Sequence, residues 1–263
     1  MAFELAGSRV LVTGASSGIG AGLATAIART GATVGIAARR RDRLAAVLDE
    51  CRRHSPASAM WVTDLADPSA VDALASSALE AFGGVDVLVN CAGIPKRRHV
   101  TRLDPATVDH VMQVNFLAPA RLTLALLPQM LERGRGRIVN VSSVAATLSS
   151  PGEAAYDASK AALAVFSEAM AVDLWDTGVK VMVVYPGVVD TELFSLPDND
   201  PPTDAVEPIT VGEVVDAVLH GLDEDAVQVY VPAWFAQLAA GKAGNVEGFL
   251  AGTAEFVRTR GKG

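Results

Sequence analysis

Short apolar runs recur along the chain, and helix-like segments separate them. The runs are at residues 9–13, 33–38, 60–63, 85–90, 137–141, 180–185 and 228–231. Two intervening segments begin with Asp-Pro, at Asp67 and Asp104. Aspartate is a good N-cap, and proline suits the first helical position. Strands that alternate with helices predict a doubly wound α/β fold, in which a parallel sheet is covered on both faces.

Length and composition favour one domain over residues 1–263. Half of the residues are apolar, and a doubly wound sheet of this length forms a single core. The net charge of −8 argues against nucleic-acid binding. No apolar run approaches the roughly 18 residues of a membrane span, and no signal peptide is visible at the N-terminus. We therefore predict a cytoplasmic protein in which Cys51 and Cys91, the two cysteines, are reduced.

A glycine-rich motif follows the first apolar run. Residues 13–20 read TGASSGIG and lead into a helix-like segment at 19–30. Strand, glycine turn and helix is the context that a dinucleotide site requires. Glycines let the backbone approach a pyrophosphate, and the helix N-terminus offers free N–H groups. The alternative is a glycine-rich turn that merely joins two elements.

A tyrosine and a lysine have the spacing of one helical turn. Tyr156 and Lys160 are four residues apart, and Ser143 lies thirteen residues before the tyrosine. Both side chains of the pair therefore project from one helix face. An ammonium beside a phenol favours phenolate and lowers its pKa from about 10. Such a phenol can give a proton to a carbonyl oxygen or take one from an alcohol. The alternative is a surface tyrosine over a lysine.

Together these motifs resemble the short-chain dehydrogenase/reductase family over residues 9–191. TGASSGIG fits the family's glycine pattern, and NCAG at 90–93 fits its N-A-G motif. PGVVDT at 186–191 fits its P-G-x-V-x-T segment. The matches to its helix asparagine and its catalytic residues are Asn115, Ser143, Tyr156 and Lys160. The resemblance implies a Rossmann-like sheet and an NAD(P)-dependent oxidoreductase.

Roles for individual residues also follow from the resemblance. Tyr156 would be the proton donor and acceptor, Lys160 would lower its pKa and bind the nicotinamide ribose, and Ser143 would hold the substrate oxygen. Asn115 would support Lys160 through an ordered water, or else mark a helix kink. Asn90 would bond neighbouring backbone at the sheet centre. The implied cofactor contacts are Gly14, Ser16, Ser17, Gly18, Ile19, Gly20, Arg39, Arg40, Asp64, Leu65, Asn90, Ala92, Gly93, Tyr156, Lys160, Pro186, Gly187, Val189 and Thr191.

The end of the second strand favours NADP(H) as the cofactor. NAD enzymes of this fold place an acid there to bind the ribose hydroxyls, but this chain has Ala38 followed by Arg39. A guanidinium matches a phosphate with paired, charge-assisted hydrogen bonds, so we predict that Arg39 binds the 2′-phosphate. A basic start to a solvated helix is the alternative. Asp64 is expected either at the adenine or in a turn.

Three segments lie outside the motifs. Residues 190–208 predict a loop over the substrate cleft, with a solvated linker as the alternative. Residues 233–263 predict a helical tail that covers the substrate site, packs at a subunit interface or touches a membrane surface. Residues 96–99, KRRH, either attract an acidic substrate or form a solvated loop. The four histidines lack metal-ligand spacing, so no metal site is predicted.

The predicted activity is hydride transfer between NADP(H) and a small-molecule carbonyl or secondary alcohol. The alternatives are an NADP(H)-binding regulator without turnover and a dehydratase or epimerase. Segments 106–131 and 154–174 are apolar on several sides, which predicts burial on more than one side. In the family resembled, the equivalent helices meet across a twofold axis, so we expect at least a homodimer and leave a homotetramer open.

Overall fold

A single parallel sheet forms the centre of the molecule. The computed structural model describes residues 3–201 and 207–260, without the side chains of Phe194 and Arg260. The strands are β1 (Arg9–Thr13), β2 (Thr33–Ala38), β3 (Ala59–Val62), β4 (Val87–Asn90), β5 (Gly136–Val141), β6 (Val179–Pro186) and β7 (Gln228–Val231). Their order is β3-β2-β1-β4-β5-β6-β7, and all neighbours are parallel. The predicted doubly wound, Rossmann-like fold is confirmed.

Helices connect the strands and cover both faces of the sheet. They are α1 (Gly18–Arg29), α2 (Arg41–Arg52), α3 (Pro68–Phe82), α4 (Pro105–Met112), α5 (Ala118–Glu132), α6 (Ala145–Leu148), α7 (Ala154–Asp173), α8 (Val211–Asp223), α9 (Phe235–Gly244) and α10 (Val246–Arg260). A π-helical turn at Gln113–Leu117 joins α4 to α5, and 3-10 turns occupy Val100–Arg102 and Glu192–Ser195. The predicted N-caps are correct, because the Asp67 and Asp104 carboxylates accept from the amides of Ser69 and Thr107, each at 2.8 Å.

Alternate residues of the strands serve two different cores. Val10 and Val12 of β1 pack with α1, α2 and α8 on one face, whereas Leu11 packs with α3, α5 and α7 on the other. All three side chains are fully buried. This arrangement follows from the period of two along a strand, combined with helices on both faces. The sheet therefore presents its functional residues only at its ends.

The fourth strand begins two residues later than the sequence predicts. The backbone of Val85 bonds to the side chain of Gln129 instead of to a neighbouring strand: its N–H donates to Oε1 at 3.3 Å, and its carbonyl accepts from Nε2 at 2.9 Å. The next residue, Asp86, accepts from the Arg9 guanidinium at 2.8 Å. Side-chain partners thus replace the ladder bonds at Val85, whereas the Asp86 amide still donates to the Arg9 carbonyl at 2.8 Å. Such side-chain partners have no signature in the apolar pattern.

The C-terminal extension consists of α9 and α10, as predicted. Phe235 is buried against the body, but no residue of α10 from 246 to 259 is buried. By length and composition alone, the helical run from Pro105 to Glu132 could cross a membrane. Half of its most apolar stretch is buried inside the protein, as in the core helix of a globular domain.

Candidate active site

A cavity opens at the carboxyl ends of the strands. The order of strands reverses between β1 and β4, which is where doubly wound sheets form a ligand crevice. The cavity holds about 870 Å³. Ser143, Tyr156 and Lys160 line it together with Gly93 and the residues that follow β6. The structure therefore brings the three predicted catalytic residues into one cavity.

The turn after β1 is shaped for close approach of backbone. Gly14 has φ of +70°, and a Cβ there would lie 2.6 Å from the Cα of Ala92. The hydroxyl of Thr13 accepts from the amides of Cys91 and Ala92 at 3.2 and 3.3 Å. The predicted glycine motif and N-A-G motif are thus locked against each other at the N-terminus of α1. A close-packed turn at a helix N-terminus fits a pyrophosphate.

The two predicted catalytic hydroxyls, those of Ser143 and Tyr156, lie close together in the site. Ser143 lies just after β5, Tyr156 lies in the first turn of α7, and the two hydroxyls are close enough to interact. Burial raises the pKa of Tyr156, and the interaction with Ser143 opposes the rise. Ser142 has a different task, because its hydroxyl donates to the carbonyl of Lys160 at 2.8 Å and fixes β5 to α7. The thirteen-residue spacing therefore selects the serine that faces the tyrosine.

Lys160 lies beside the tyrosine but is not bonded to it. Its Nζ is 5.9 Å from the centroid of the Tyr156 ring and donates to the carbonyl of Val141 at 2.9 Å. Burial lowers the pKa of Lys160 to about 8. Burial is the largest influence on both groups, since it raises the pKa of Tyr156 and lowers that of Lys160. Lowering of the phenol's pKa by this ammonium stays a prediction.

Asn115 lies in the π-helical turn between α4 and α5 and is fully buried. Its Oδ1 accepts from the amide of Ile94 at 2.8 Å. Its Nδ2 donates to the Ile94 carbonyl and to Ser159 Oγ, each at 3.0 Å. A Cβ on Gly93 would lie 3.2 Å from Lys160 Nζ and 3.5 Å from Asn115 Oδ1. Asn115 is thus both a helix irregularity and a neighbour of the lysine, and π-helical turns of this kind occur frequently at functional sites.

The segment after β6 forms the wall opposite the glycine turn. Pro186, Gly187, Val189 and Thr191 all line the cavity, as the sequence places them. The Gly187 amide donates to the Val231 carbonyl at 2.8 Å, and the Pro186 carbonyl accepts from Val144 at 3.0 Å. A Cβ on Gly18 would lie 3.1 Å from the Thr191 methyl group, so this wall reaches the glycine turn.

Comparison with known proteins agrees with this geometry. Residues 8–200 match the short chain dehydrogenase family. The chain belongs to the short chain dehydrogenases. It is 40% identical over 199 residues to a short chain dehydrogenase of Pseudocercospora fijiensis, a match that covers 74% of this chain and 64% of that protein's own length.

Solved structures of short-chain dehydrogenases have the same fold. One from Sphingobium yanoikuyae, in complex with NADPH, has a TM-score of 0.82 and 29% identity, covering 93% of this chain and 95% of that chain. One from Burkholderia phymatum, in complex with NAD, has a TM-score of 0.83 and 26% identity, covering 93% and 96%. Nicotinamide cofactors therefore bind to relatives of this dehydrogenase, and the two relatives differ in which one.

Four charged residues form an arginine rim beside the glycine turn: Arg39, Arg40, Arg43 and Glu192. Arg39 is exposed and makes no hydrogen bond or ion pair within the described residues. Arg40 donates to Ser16 Oγ at 3.0 Å and to Ser17 Oγ at 2.7 Å. Glu192 forms ion pairs with Arg40 and Arg43 and accepts from Ser17 Oγ at 2.8 Å.

Glu192 is the part of the rim that sequence reasoning missed. Arg43, Ser17 and Arg40 together lower the pKa of Glu192 to about 2, so it is charged at neutral pH. The sequence did offer one signal: Glu192 directly follows Thr191, the last residue of the PGVVDT motif, and this motif ends opposite the glycine turn. An acid among the arginines was not expected at a phosphate site.

Asn90 differs from expectation. Its Nδ2 donates to Thr123 Oγ1 at 3.1 Å and to Asn140 Oδ1 at 2.8 Å, so its partners are side chains and not neighbouring backbone. Asn140 in turn donates to Ser167 Oγ at 2.7 Å. This buried chain of polar groups joins β4, β5 and α7 beneath the site. It holds the helix that carries Tyr156 and Lys160, and Asn140 and Ser167 were not identified from the sequence.

Asp64 and Leu65 lie at the end of β3. The Asp64 carboxylate accepts from the Ala66 amide at 3.0 Å, which is the turn that the sequence allows as an alternative. Leu65 is buried in the core beneath. An adenine contact at these residues stays a prediction.

The basic segment 96–99 pairs with the loop across the cleft. Lys96 Nζ donates to Asp198 Oδ2 at 2.6 Å, and Arg98 forms an ion pair with the same carboxylate. The His99 amide donates to Asp200 at 3.2 Å. The segment is therefore not a freely solvated loop, because it anchors part of residues 190–208. Attraction of an acidic substrate by these residues stays a prediction. Of that loop, residues 202–206 lie outside the described part.

The remaining candidates are inert in this dehydrogenase. Burial raises the pKa of the Cys91 thiol to about 12, so the sulfur beside the glycine turn stays protonated and is a poor nucleophile. Within the described residues, no group of three or more His, Cys, Asp or Glu is arranged to hold a metal ion.

Proposed function

We propose that this chain transfers a hydride between NADP(H) and a carbonyl or secondary alcohol substrate, with Tyr156 as the general acid and base. One observation carries the proposal: the Ser143 and Tyr156 hydroxyls converge at the wall of one cavity, beside a buried Lys160. Two hydroxyl groups that converge there can hold one substrate oxygen.

The bound cofactor would supply or accept the hydride. Every proton step would fall to the side chains of the site. Since burial raises its pKa, Tyr156 keeps its proton at neutral pH and can donate it to a carbonyl oxygen as charge develops there. Ser143 would donate a second hydrogen bond to that oxygen. Lys160, held by the Val141 carbonyl, would place positive charge beneath the phenolate that remains.

A preference for NADP(H) rests on the arginine rim. Ala38 leaves the end of β2 without the acid that binds ribose hydroxyls, and Arg39 is exposed beside it. Arg40 already contacts both serines of the glycine turn. The Arg39 guanidinium has no partner among the described residues, which suits it to a 2′-phosphate. The NADPH bound to the Sphingobium relative is consistent with this choice, and the NAD bound to the Burkholderia relative makes it a question for titration.

Assembly as at least a homodimer is part of the proposal. On α5 and α7, Leu124, Val165 and Val172 are 57%, 63% and 72% exposed, whereas Leu122 and Leu126 are buried against the sheet. The helices thus have a second apolar side that the described residues leave uncovered, and a twofold contact would bury it. Light scattering at micromolar concentration should give a multiple of 27.3 kDa, and a monomer mass would contradict this proposal.

The proposal also includes a cytoplasmic location, a single domain and a loop that covers the substrate. Both cysteines are unpaired, which suits a reducing cytoplasm. Residues 1–263 would act as one domain. Asp190, Leu193 and Glu207 line the cavity, which supports a substrate-covering role for residues 190–208.

The test is a panel of aldehydes, ketones and secondary alcohols, each assayed with both nicotinamide cofactors. We expect NADPH to be consumed with some carbonyls and NADP to be reduced by the matching alcohols, without added metal. Ser143→Ala serves as the control for turnover by the site itself. Binding of NADPH without turnover on any member of a broad panel would contradict the proposed activity.

A further inference from the structure

The helical tail forms much of the apolar wall of the cavity. Trp234, Phe235 and Leu238 contribute from the start of the tail, and Phe249 and Phe256 contribute from α10. Leu148 of α6 faces the same space. Large aromatic and aliphatic side chains therefore surround the region beyond the catalytic pair.

One side of α10 faces the cavity. Among residues 246–259, only Phe249 and Thr253 are even partly buried, and both line the cavity. The neighbouring Leu250 is 44% exposed and does not line it. The partly buried face of the helix is thus turned toward the cavity, where a ligand that fills the space would contact it.

The charges at the wall oppose an anionic substrate. Besides Lys160, the charged lining residues are one arginine and three carboxylates: Arg97, Glu153, Asp190 and Glu207. Arg97 lies close enough to Glu153 to influence its ionisation, so the two largely cancel. The net charge of the lining leaves no surplus cation for a carboxylate or phosphate on the substrate.

The volume exceeds what a small ketone needs. Cavities of roughly 300–1,000 Å³ enclose drug-sized ligands, and this one holds about 870 Å³. Ile19, Cys91 and Gly93 mark the part beside the glycine turn that a nicotinamide ring would share. The remaining volume faces the tail. A small substrate would not fill it, so the apolar side chains there would stay in contact with water, which is unfavourable.

We propose that the substrates are uncharged ketones or secondary alcohols with a large apolar body, and that Phe249 of the tail selects them by contact with that body. This inference rests on the proposed oxidoreductase function. It adds a class of substrate and a residue that determines specificity.

The experiment uses the full chain and a series of methyl ketones from 2-butanone to 2-undecanone, with 10-oxoundecanoate as an anionic ketone of the same chain length. We expect kcat/KM to rise about three- to fourfold for each methylene that becomes buried. We expect the anionic ketone to have a kcat/KM at least tenfold below that of 2-undecanone. A flat length series, or a preference for the oxo acid, would overturn the proposal.

Two variants on the same helix test the role of the tail. Phe249→Ala should lower kcat/KM for 2-undecanone by about 10- to 100-fold and change that for 2-butanone less than threefold. Leu250→Ala, which removes an outward-facing side chain, should leave both within twofold. Phe249→Leu should recover most of the activity on the long ketone, which excludes unfolding of the tail as the cause.

The outcomes separate the two levels of inference. Equal turnover of short and long ketones keeps the oxidoreductase function and overturns the substrate class. Equal loss in Phe249→Ala and Leu250→Ala overturns selection by Phe249. No turnover of any ketone or alcohol with either cofactor overturns both.

Discussion

The cavity and the arginine rim beside it would hold the same cofactor through different interactions. The catalytic floor, comprising Asn115, Ser143, Tyr156 and Lys160, is tied to strand ends by hydrogen bonds within a desolvated wall. The arginine rim consists of charges in water: Arg40 and Arg43 are 40% and 52% exposed. The floor alters the proton affinity of its members through burial, and the rim selects ligands through charge that salt can screen.

The largest expected effect is on the floor. Tyr156→Phe should reduce turnover of a verified ketone by about 10²–10⁴-fold, because general acid catalysis is lost. NADPH affinity should change less than threefold. Tyr230→Phe is the matched control, since Tyr230 stacks on Tyr185 and does not line the cavity. Steady-state rates and fluorescence titration measure both quantities, and near wild-type turnover in Tyr156→Phe would disprove the assignment.

The next effect tests the rim. Arg39→Asp should weaken NADPH binding by about 10- to 100-fold, since a hydrogen bond to a charged group contributes about 1.5–3 kcal/mol. NADH affinity should rise or stay constant. Arg41→Asp makes the same charge change two residues further along. The difference in NADPH affinity between these two variants should shrink as the salt concentration rises. The loss of turnover in Tyr156→Phe should not depend on salt. Equal effects of both variants would show that Arg39 contributes only positive charge near the site and makes no specific contact with the 2′-phosphate.

A third prediction concerns the cost of the buried lysine. Lys160→Met should raise the melting temperature at pH 7 by a few degrees, roughly, while turnover falls. The folded-state pKa of Lys160 is about 8, below the ordinary value of 10.5. Between these values the unfolded chain binds the extra proton, so wild-type stability rises with pH.

The pH dependence supplies the check. The stability gap between Lys160→Met and wild type should be full below pH 8 and close as pH rises toward 10.5. Paired thermal melts across that range measure it. A gap that does not change with pH would show that packing, and not the charge, is responsible.

The smallest predicted effect sharpens the role of Glu192. Glu192→Gln should tighten NADPH binding about two- to fivefold, because the carboxylate competes with phosphate for Arg40 and Arg43 and exposed ion pairs are weak. NADH affinity should change less. Glu80→Gln, an exposed glutamate on α3, is the control. Weaker NADPH binding in Glu192→Gln would mean that Glu192 closes over the cofactor and does not compete with it.

Much of the fold was predictable because its signals are local. Apolar runs, glycine turns and Asp-Pro caps depend on residues a few positions apart, and all seven strands were found. Glu192 and its arginines are about 150 positions apart, and Asn90 meets Asn140 only once β4 lies beside β5. The pairing of Lys96 with Asp198 likewise depends on two loops that converge in space. Such contacts follow from topology and have no pattern of their own along the chain.

The position of α10 also bears on how this enzyme could acquire new substrates. The stretch shared with the family ends at residue 200, and the tail that faces the cavity comes later. Because α10 adds no buried residue to either core, substitutions there change ligand contacts at little cost to folding. If the tail selects substrates as proposed, this part of the selection lies outside the stretch that carries Tyr156 and Lys160, although Leu148 and Leu193 of that stretch also line the cavity. Substitutions in α10 would then alter the substrate repertoire and leave the inherited sheet untouched.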